Sequence, residues 1–379
     1  MSAAGDLRLL IAPDSFKGSL TSVEVARALA DGWRRARPDD EIDLAPLADG
    51  GEGTLAALEA AGGWERREVT VADPIGRPVR ASWLRSADGT RAAVELAAAS
   101  GLSRLAASER APLAATTRGT GELLRAVFDA GIRDVLLGIG GSATSDGGRG
   151  ILEALGAAVR PDGSVSLDGL DRRLGELRLQ IACDVTNPLL GEQGAAATYG
   201  PQKGASTAQV RELDERLRAW AEVLEAATGR SERSAPGAGA AGGTAFGLLC
   251  LRDRCRSLEL RPGVELVMEA VGFDGRLAAA DLVLTGEGRV DAQTAFGKTA
   301  QGVARRASAA GRPCIAVGGG VEPEGVEALG RLGVIVVPVV ERPMSVEEAM
   351  AAGAAPLERA GERLARLVSL GLVLAVGRR

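Results

Sequence analysis

A single hydrophobic core stops growing at about 250–300 residues, so a chain of 379 residues predicts two domains. The composition, 46% hydrophobic and 25% charged, is globular, and a net charge of −5 leaves no basic stripe for a nucleic-acid backbone. Histidine is absent, which excludes a Ser–His triad, a histidine base and histidine-ligated zinc. Acid–base work then falls to Asp, Glu, Lys, Tyr or Cys, and any metal to oxygen ligands.

The N-terminal "MSAAGDLRLLIAPDS" has no basic region followed by a sustained apolar run, so no signal peptide is expected. The first strand is read at 7–12, "LRLLIA", and the loop "PDSFKGSLT" follows it. Val25, Leu29 and Trp33 recur at helical spacing, with Thr21 and Glu24 as a capping box and Pro38 as the stop. "EIDLAP" at 41–46 is the second strand, "LADGGEG" its loop and "TLAALEAAGG" a short helix.

From about residue 68 the pattern changes. "RPVRASWLRSADGTRAAVELA" alternates around a turn and predicts an antiparallel hairpin. "RDVLLGIGGSATSDGGRGILEALG" is a strand, a glycine loop and a helix. "CDVTNPLLGEQGAAATYGPQKGAS", at 183–206, reads as a long loop of the kind that carries function. "TAQVRELDERLRAWAEVLEAAT" is an amphipathic helix with Val210, Leu213, Leu217, Trp220 and Leu224 along one side. The Gly/Ala stretch 234–247 fits either a flexible linker or close backbone packing.

After residue 281 the strand–helix rhythm returns. "DLVLT" leads into a long loop and the helix "KTAQGVARRASAAG", and further buried strands lie at 314–320 and 333–340. The last of these, "GVIVVPVV", falls well short of the roughly 20 apolar residues that span a membrane. Such alternation implies a parallel sheet covered on both faces. The expected fold is therefore α/β: a flavodoxin-like domain, 1–67 plus 281–379, interrupted by an inserted mixed α/β domain at 68–280. Four cysteines, Cys183, Cys250, Cys255 and Cys314, show no CxxC spacing and predict free thiols in a cytoplasmic protein.

Ligands of an open parallel sheet bind beyond the C-terminal ends of its strands. The loops there combine glycines with charge: "PDSFKGS", "LADGGEGT", "TGEGRVDAQTAFGK" and "GGGVEPEG". Of the 45 basic residues only three are lysines, Lys17, Lys203 and Lys298, and each stands beside a glycine. "FGKT" is not a P-loop, since Ala292 occupies the position of its first glycine. Lys298 nevertheless opens a predicted helix, where free N–H groups favour a phosphate. "GIGGSATSDGG" has its glycines out of register for a dinucleotide fingerprint, but Ser142, Thr144 and Asp146 offer contacts to a phosphate or metal. Asp49, Glu52, Asp184, Glu287 and Asp291 are the candidate carboxylates for Mg²⁺ or a hydroxyl proton, all but Asp184 close to glycines.

In this order, "PDSFKGSLTS", "PLADGGEGT", "GIGGSATSDGG", "CDVTNPLLG…YGPQKGA", "PGAGAAGG" and "TGEGRVDAQTAFGKTAQGVA" resemble the type I glycerate kinase family. The resemblance implies phosphorylation of D-glycerate by ATP with Mg²⁺ at, by family membership, the 2-hydroxyl, in a two-domain α/β protein; the net charge and the short apolar runs predict partners that are neither nucleic acid nor membrane. Its blocks select Asp14, Ser15, Lys17 and Ser19; Asp49, Gly50, Gly51 and Glu52; Gly140, Gly141, Ser142 and Asp146. They also select Asp184, Asn187, Gln202 and Lys203, then Gly286, Glu287, Asp291 and Lys298. Ser145 stands where the family usually has asparagine, Ala300 where it usually has proline, and the segment 160–175 is short.

Phosphoryl transfer relies on positioning and charge neutralisation. The expected site is the cleft between domains, with Lys17 and Lys298 from one side and Lys203 from the other. Asp184 is the expected proton acceptor, ahead of Asp49 and Asp291; the latter two are also the expected Mg²⁺ ligands. Two other readings stay open at this stage: a kinase for another small hydroxy acid, and a non-enzymatic anion- or nucleotide-binding module.

Overall fold

The computed structural model describes residues 6–292 and 299–376, the side chains of 375 and 376 excepted. In chain order the strands are β1 (Arg8–Ile11), β2 (Glu41–Leu44), β3 (Trp64–Ala72), β4 (Pro78–Ser86), β5 (Arg91–Glu95) and β6 (Asp134–Gly138). There follow the two-residue pair β7 (Ala158–Val159) and β8 (Val165–Ser166), then β9 (Arg178–Ala182), β10 (Ser257–Arg261), β11 (Leu282–Val290), β12 (Cys314–Val321) and β13 (Ile335–Pro338).

Two compact units emerge: Met1–Asp49 with Ala56–Gly62 and Val267–Arg379, and Gly50–Leu55 with Gly63–Leu266. The first unit holds a five-stranded sheet in the order β13-β12-β11-β1-β2. All its pairings are parallel, for example Leu9 beside both Ile42 and Leu282. Counted within the unit this is the flavodoxin-like order 2-1-3-4-5, with its switch point where β1 lies between β2 and β11. The expected α/β class with a flavodoxin-like sheet is thus observed.

Its core joins Leu9, Ile11, Leu284 and Val317 to Val25, Leu29 and Trp33 of the helix Ser22–Ala36 and to Leu357 and Leu364 of the helix Ala355–Val376. Thr21 and Glu24 form the expected capping box. Those two helices approach so closely that a Cβ on Gly32 would lie 1.8 Å from the Glu358 carbonyl oxygen. Trp33 is fully buried and donates through Nε1 to Asp40, which also takes two bonds from Arg37.

The second unit holds a six-stranded mixed sheet, β10-β9-β6-β5-β4-β3. The strands β5, β6, β9 and β10 run parallel, while β3, β4 and β5 form an antiparallel meander. The β4–β5 hairpin is the one the alternation predicts; β3 has too many exposed charged positions to show that signal. The helix Thr207–Thr228 buries Leu213, Leu217, Trp220 and Leu224 as expected.

Three readings need correction or closure. The predicted loop after residue 285 is partly strand, because β11 continues to Val290 beside the glycines Gly318 and Gly320 of β12. The 183–206 loop contains a helix, Ala195–Tyr199, built on two buried alanines. The Gly/Ala stretch is packing rather than linker: Ala241, Gly242 and Gly243 take left-handed conformations inside the span Ala240–Leu249. A Cβ on Gly242 would sit 2.0 Å from the Thr144 carbonyl oxygen, so only glycine admits that approach.

Candidate functional site

In the first unit, chemistry gathers at the C-terminal end of β1. Asp14 is buried; its Oδ2 accepts from Thr299 Oγ1 at 2.6 Å and its Oδ1 from the Ser15 N–H. Burial raises its pKa above the ordinary carboxylate value, and the nearby Asp49 charge adds to that rise. Lys17 extends outward and pairs with Asp49 Oδ2 at 3.1 Å. The Asp49 charge holds the Lys17 ammonium above its usual pKa, with smaller help from Asp14 and Glu287. Three carboxylates thus share the neighbourhood of one exposed lysine.

The other expected residues of this unit have defined places. Ser19 donates to the carbonyl of Met350. Gly286 and Glu287 belong to β11, in register with Val317 and Gly318, so they are strand residues and not loop residues. Glu287 is buried. Asp291 pairs with Arg289 just beyond the strand. Lys298 and its neighbours 293–297 lie outside the described residues.

In the second unit, Glu95, Gly138 and Ala182 end three parallel strands in one row. The segment Gly50–Leu55 is laid across that row. Gly50 has φ +83°, and a Cβ there would strike the Ala182 Cβ at 2.2 Å. The Gly50 carbonyl accepts from the Gly140 N–H at 3.3 Å, and a Cβ on Gly140 would lie 2.5 Å from the Gly51 Cα. Two glycine loops therefore meet backbone to backbone, with exposed Glu52 over exposed Gly141. At the β5 end, Glu95 accepts from the N–H groups of Leu55, at 2.7 Å, and Gly53. Burial pushes its carboxyl up to about 7 against the pull of those donors.

Several expected ligand contacts are occupied by the protein itself. Asp146 accepts from the backbone N–H groups of Thr117, Gly148 and Gly150 and from the Thr117 hydroxyl, which ties the glycine loop to the start of the helix Arg118–Asp129. Burial nonetheless raises its pKa. Lys203 is 2% exposed and donates to the Thr144 carbonyl at 2.5 Å and to Ser142 Oγ at 3.4 Å. Desolvation draws its pKa down to about 7. Asn187 donates to the Gln193 carbonyl and Thr198 Oγ1 and accepts from the hydroxyl of Tyr199, the chain's one tyrosine.

Asp184 and Gln202 reach the surface instead. Asp184 Oδ1 accepts from the N–H of Gly263, where the helix Gly263–Ala270 begins, and a carboxylate is favoured at a helix start. Among the described residues, no three of His, Cys, Asp or Glu come together as a metal-holding group. Two participants escaped the sequence reading, Glu95 and Thr299. Each meets its partner across a long sequence separation, 40 residues for Glu95 and 285 for Thr299, and although Thr299 directly follows Gly297 and Lys298 nothing local ties it to Asp14.

A family model described as the Glycerate kinase family matches residues 9–369. The Glycerate kinase of Halalkalibacterium halodurans is 44% identical over 94% of this chain and 97% of its own length. The Glycerate 2-kinase of Escherichia coli is 42% identical over 83% of this chain and 85% of its own. A crystal structure of a putative glycerate kinase 2 from Salmonella typhimurium superposes with a TM-score of 0.82 at 38% identity, covering 97% of this chain and 99% of that one. With the family matched across nearly its whole length and its sheet order shared with the flavodoxin-like class, the chain belongs to the glycerate kinase family and is a phosphotransferase.

Proposed function

We propose that this enzyme transfers the γ-phosphoryl group of ATP to the 2-hydroxyl of D-glycerate, with groups drawn from both units. The observation that carries the reading is the clustering of Lys17, Asp49 and Asp14 and of two facing glycine loops, all at the C-terminal ends of parallel strands. The 2-position follows the relative named Glycerate 2-kinase. The cleft expected from sequence is retained as a proposal, with Lys17 and Lys298 on one side. On the other side Lys203 acts through the loop it holds, since its own ammonium is buried.

ATP and glycerate together bring several negative charges into the site, and the backbone N–H groups of the glycine loops and the Lys17 ammonium answer them. Mg²⁺ keeps several waters and takes one or two carboxylates plus substrate phosphates, which suits Asp49 and Asp291 better than an all-protein cage would. When bound it offsets phosphate charge. Asp184 is assigned as proton acceptor for the glycerate hydroxyl: it is exposed, and the Gly263 N–H fixes its carboxylate at the end of β9. Ser15, Ser19, Asn187, Gln202, Gly286 and Glu287 support or line the substrate loops. No described helix is long and apolar enough to cross a membrane, and a cytoplasmic setting suits the free cysteines.

The test offers the protein ATP, Mg²⁺ and D-glycerate and passes the product to enolase. Turnover of the product by enolase alone supports the 2-isomer, whereas turnover only after phosphoglycerate mutase is added means the 3-isomer. Absence of ADP would overturn the reading.

A further inference from the structure

The helix Thr54–Ala61 has no acidic residue in its own first turn. The first N–H groups of a helix need acceptors from elsewhere, and here Glu95 supplies them from 40 residues further along the chain. Glu95 is 8% exposed, and its carboxyl takes the Leu55 and Gly53 N–H groups together. The segment it grips bends sharply, with φ of +83° at Gly50 and +98° at Gly53. Beyond that grip, the turn is closed by Thr54, whose N–H and hydroxyl both donate to the Gly51 carbonyl. A further bond runs from the Gly140 N–H to the Gly50 carbonyl.

We propose that Glu95 is a positioning residue of the phosphoryl-transfer reaction. By gripping Gly53 and Leu55 it sets the height of the Gly50–Glu52 backbone over Gly140 and Gly141, so that both glycine loops present one surface to the phosphates. There is no slack for error in that stacking, because no Cβ fits between Gly140 and Gly51. The inference rests on the reading that these loops serve the phosphates, and it adds the carboxylate that shapes them. Glu95 itself touches no reacting atom.

The test compares E95A, E95Q and E95D with the parent. Glutamine keeps an acceptor oxygen at the same reach; aspartate keeps the charge but falls short by one methylene. In E95A the expected loss is about 10- to 100-fold in kcat per folded molecule, with a smaller change in KM, as for a misplacement of the site by about 1 Å. E95Q should stay within about threefold of the parent by the same measure. Amide hydrogen exchange across 50–56 should accelerate in ligand-free E95A and not in E95Q. If E95A does not fold, E95D takes its place with the same expectations.

A merely structural carboxylate would lower the melting temperature and leave kcat per folded molecule within about twofold, and that result overturns the proposal. So does an E95Q variant as damaged as E95A. Should the parent itself form no ADP from D-glycerate, the functional reading has failed. Unchanged exchange across 50–56 in E95A overturns the grip of Glu95 whatever the substrate.

Discussion

The Lys203 ammonium lies beneath the 142–146 loop, where the Thr144 carbonyl and the Ser142 hydroxyl accept its hydrogen bonds and the Asp146 charge favours it without offsetting its desolvation. Desolvation lowers its pKa from 10.5 to about 7, so between those values the unfolded chain holds a proton that the native protein does not. Stability therefore rises with pH across that window, and the cost of the buried charge is fully present below it. Glu95 acts in the opposite sense. Its pKa is raised from 4.5 to about 7, the native protein holds the extra proton between those values, and stability falls as pH rises through them. Together the two groups place the least favourable balance near neutrality. Lys203→Met keeps the apolar stem and removes the titration, so its melting temperature should lose the parent's rise between about pH 7 and pH 10. A rise equal to the parent's in scanning calorimetry would show that Lys203 is not the group responsible. The same variant should lose about 10- to 100-fold in kcat if the lysine props the loop, read in the same coupled assay.

At the scale of elements, glycines decide how near two segments come. Gly32 lies mid-helix, where alanine normally gains about 1 kcal/mol in propensity. Its Cβ would meet the Glu358 carbonyl oxygen at 1.8 Å, and overpacking costs about 1–3 kcal/mol or more, so the clash wins. Gly32→Ala should lower stability by about 1–3 kcal/mol in denaturant titration. Gly330, at the end of the helix Pro323–Gly330, has open space where its Cβ would be, so Gly330→Ala serves as the neutral control. Equal midpoints for the two variants would refute the packing argument.

Much of this level was legible in sequence. Strand–helix alternation, the Thr21 capping box and the apolar spacing of the helices are local signals. Two early and three late strands pointed to a flavodoxin-like domain, while the order of those strands in the sheet comes from the structure. What stayed hidden depends on partners distant in the chain. Glycine beside lysine or aspartate marked the loops now proposed for the site, yet nothing near Lys203 or Asp146 tells that the side chain turns inward. Lys203 meets Thr144 59 residues away, and Asp146 meets Thr117 29 residues away. The extension of β11 through Gly286 and Glu287 depends likewise on glycines in β12.

For the whole molecule, ligand binding and folding are linked. ATP with Mg²⁺ at about 100 times its dissociation constant should stabilise the native protein by about 2.7 kcal/mol, seen as a higher melting temperature in differential scanning fluorimetry. No shift at any nucleotide concentration would count against the proposed co-substrate. The discontinuous unit adds a constraint of another kind. Its strands β1 and β2 leave the ribosome early, but β1 lies between β2 and β11, which begins only at Leu282. Apart from the short segment Gly50–Leu55, which is made before it, the second unit runs without interruption from Gly63 to Leu266. At about 5–20 residues per second, the first unit's opening strands wait on the order of ten seconds or more for their partner. During synthesis the inserted unit can finish first, and the half of the enzyme that begins the chain is the last to be assembled.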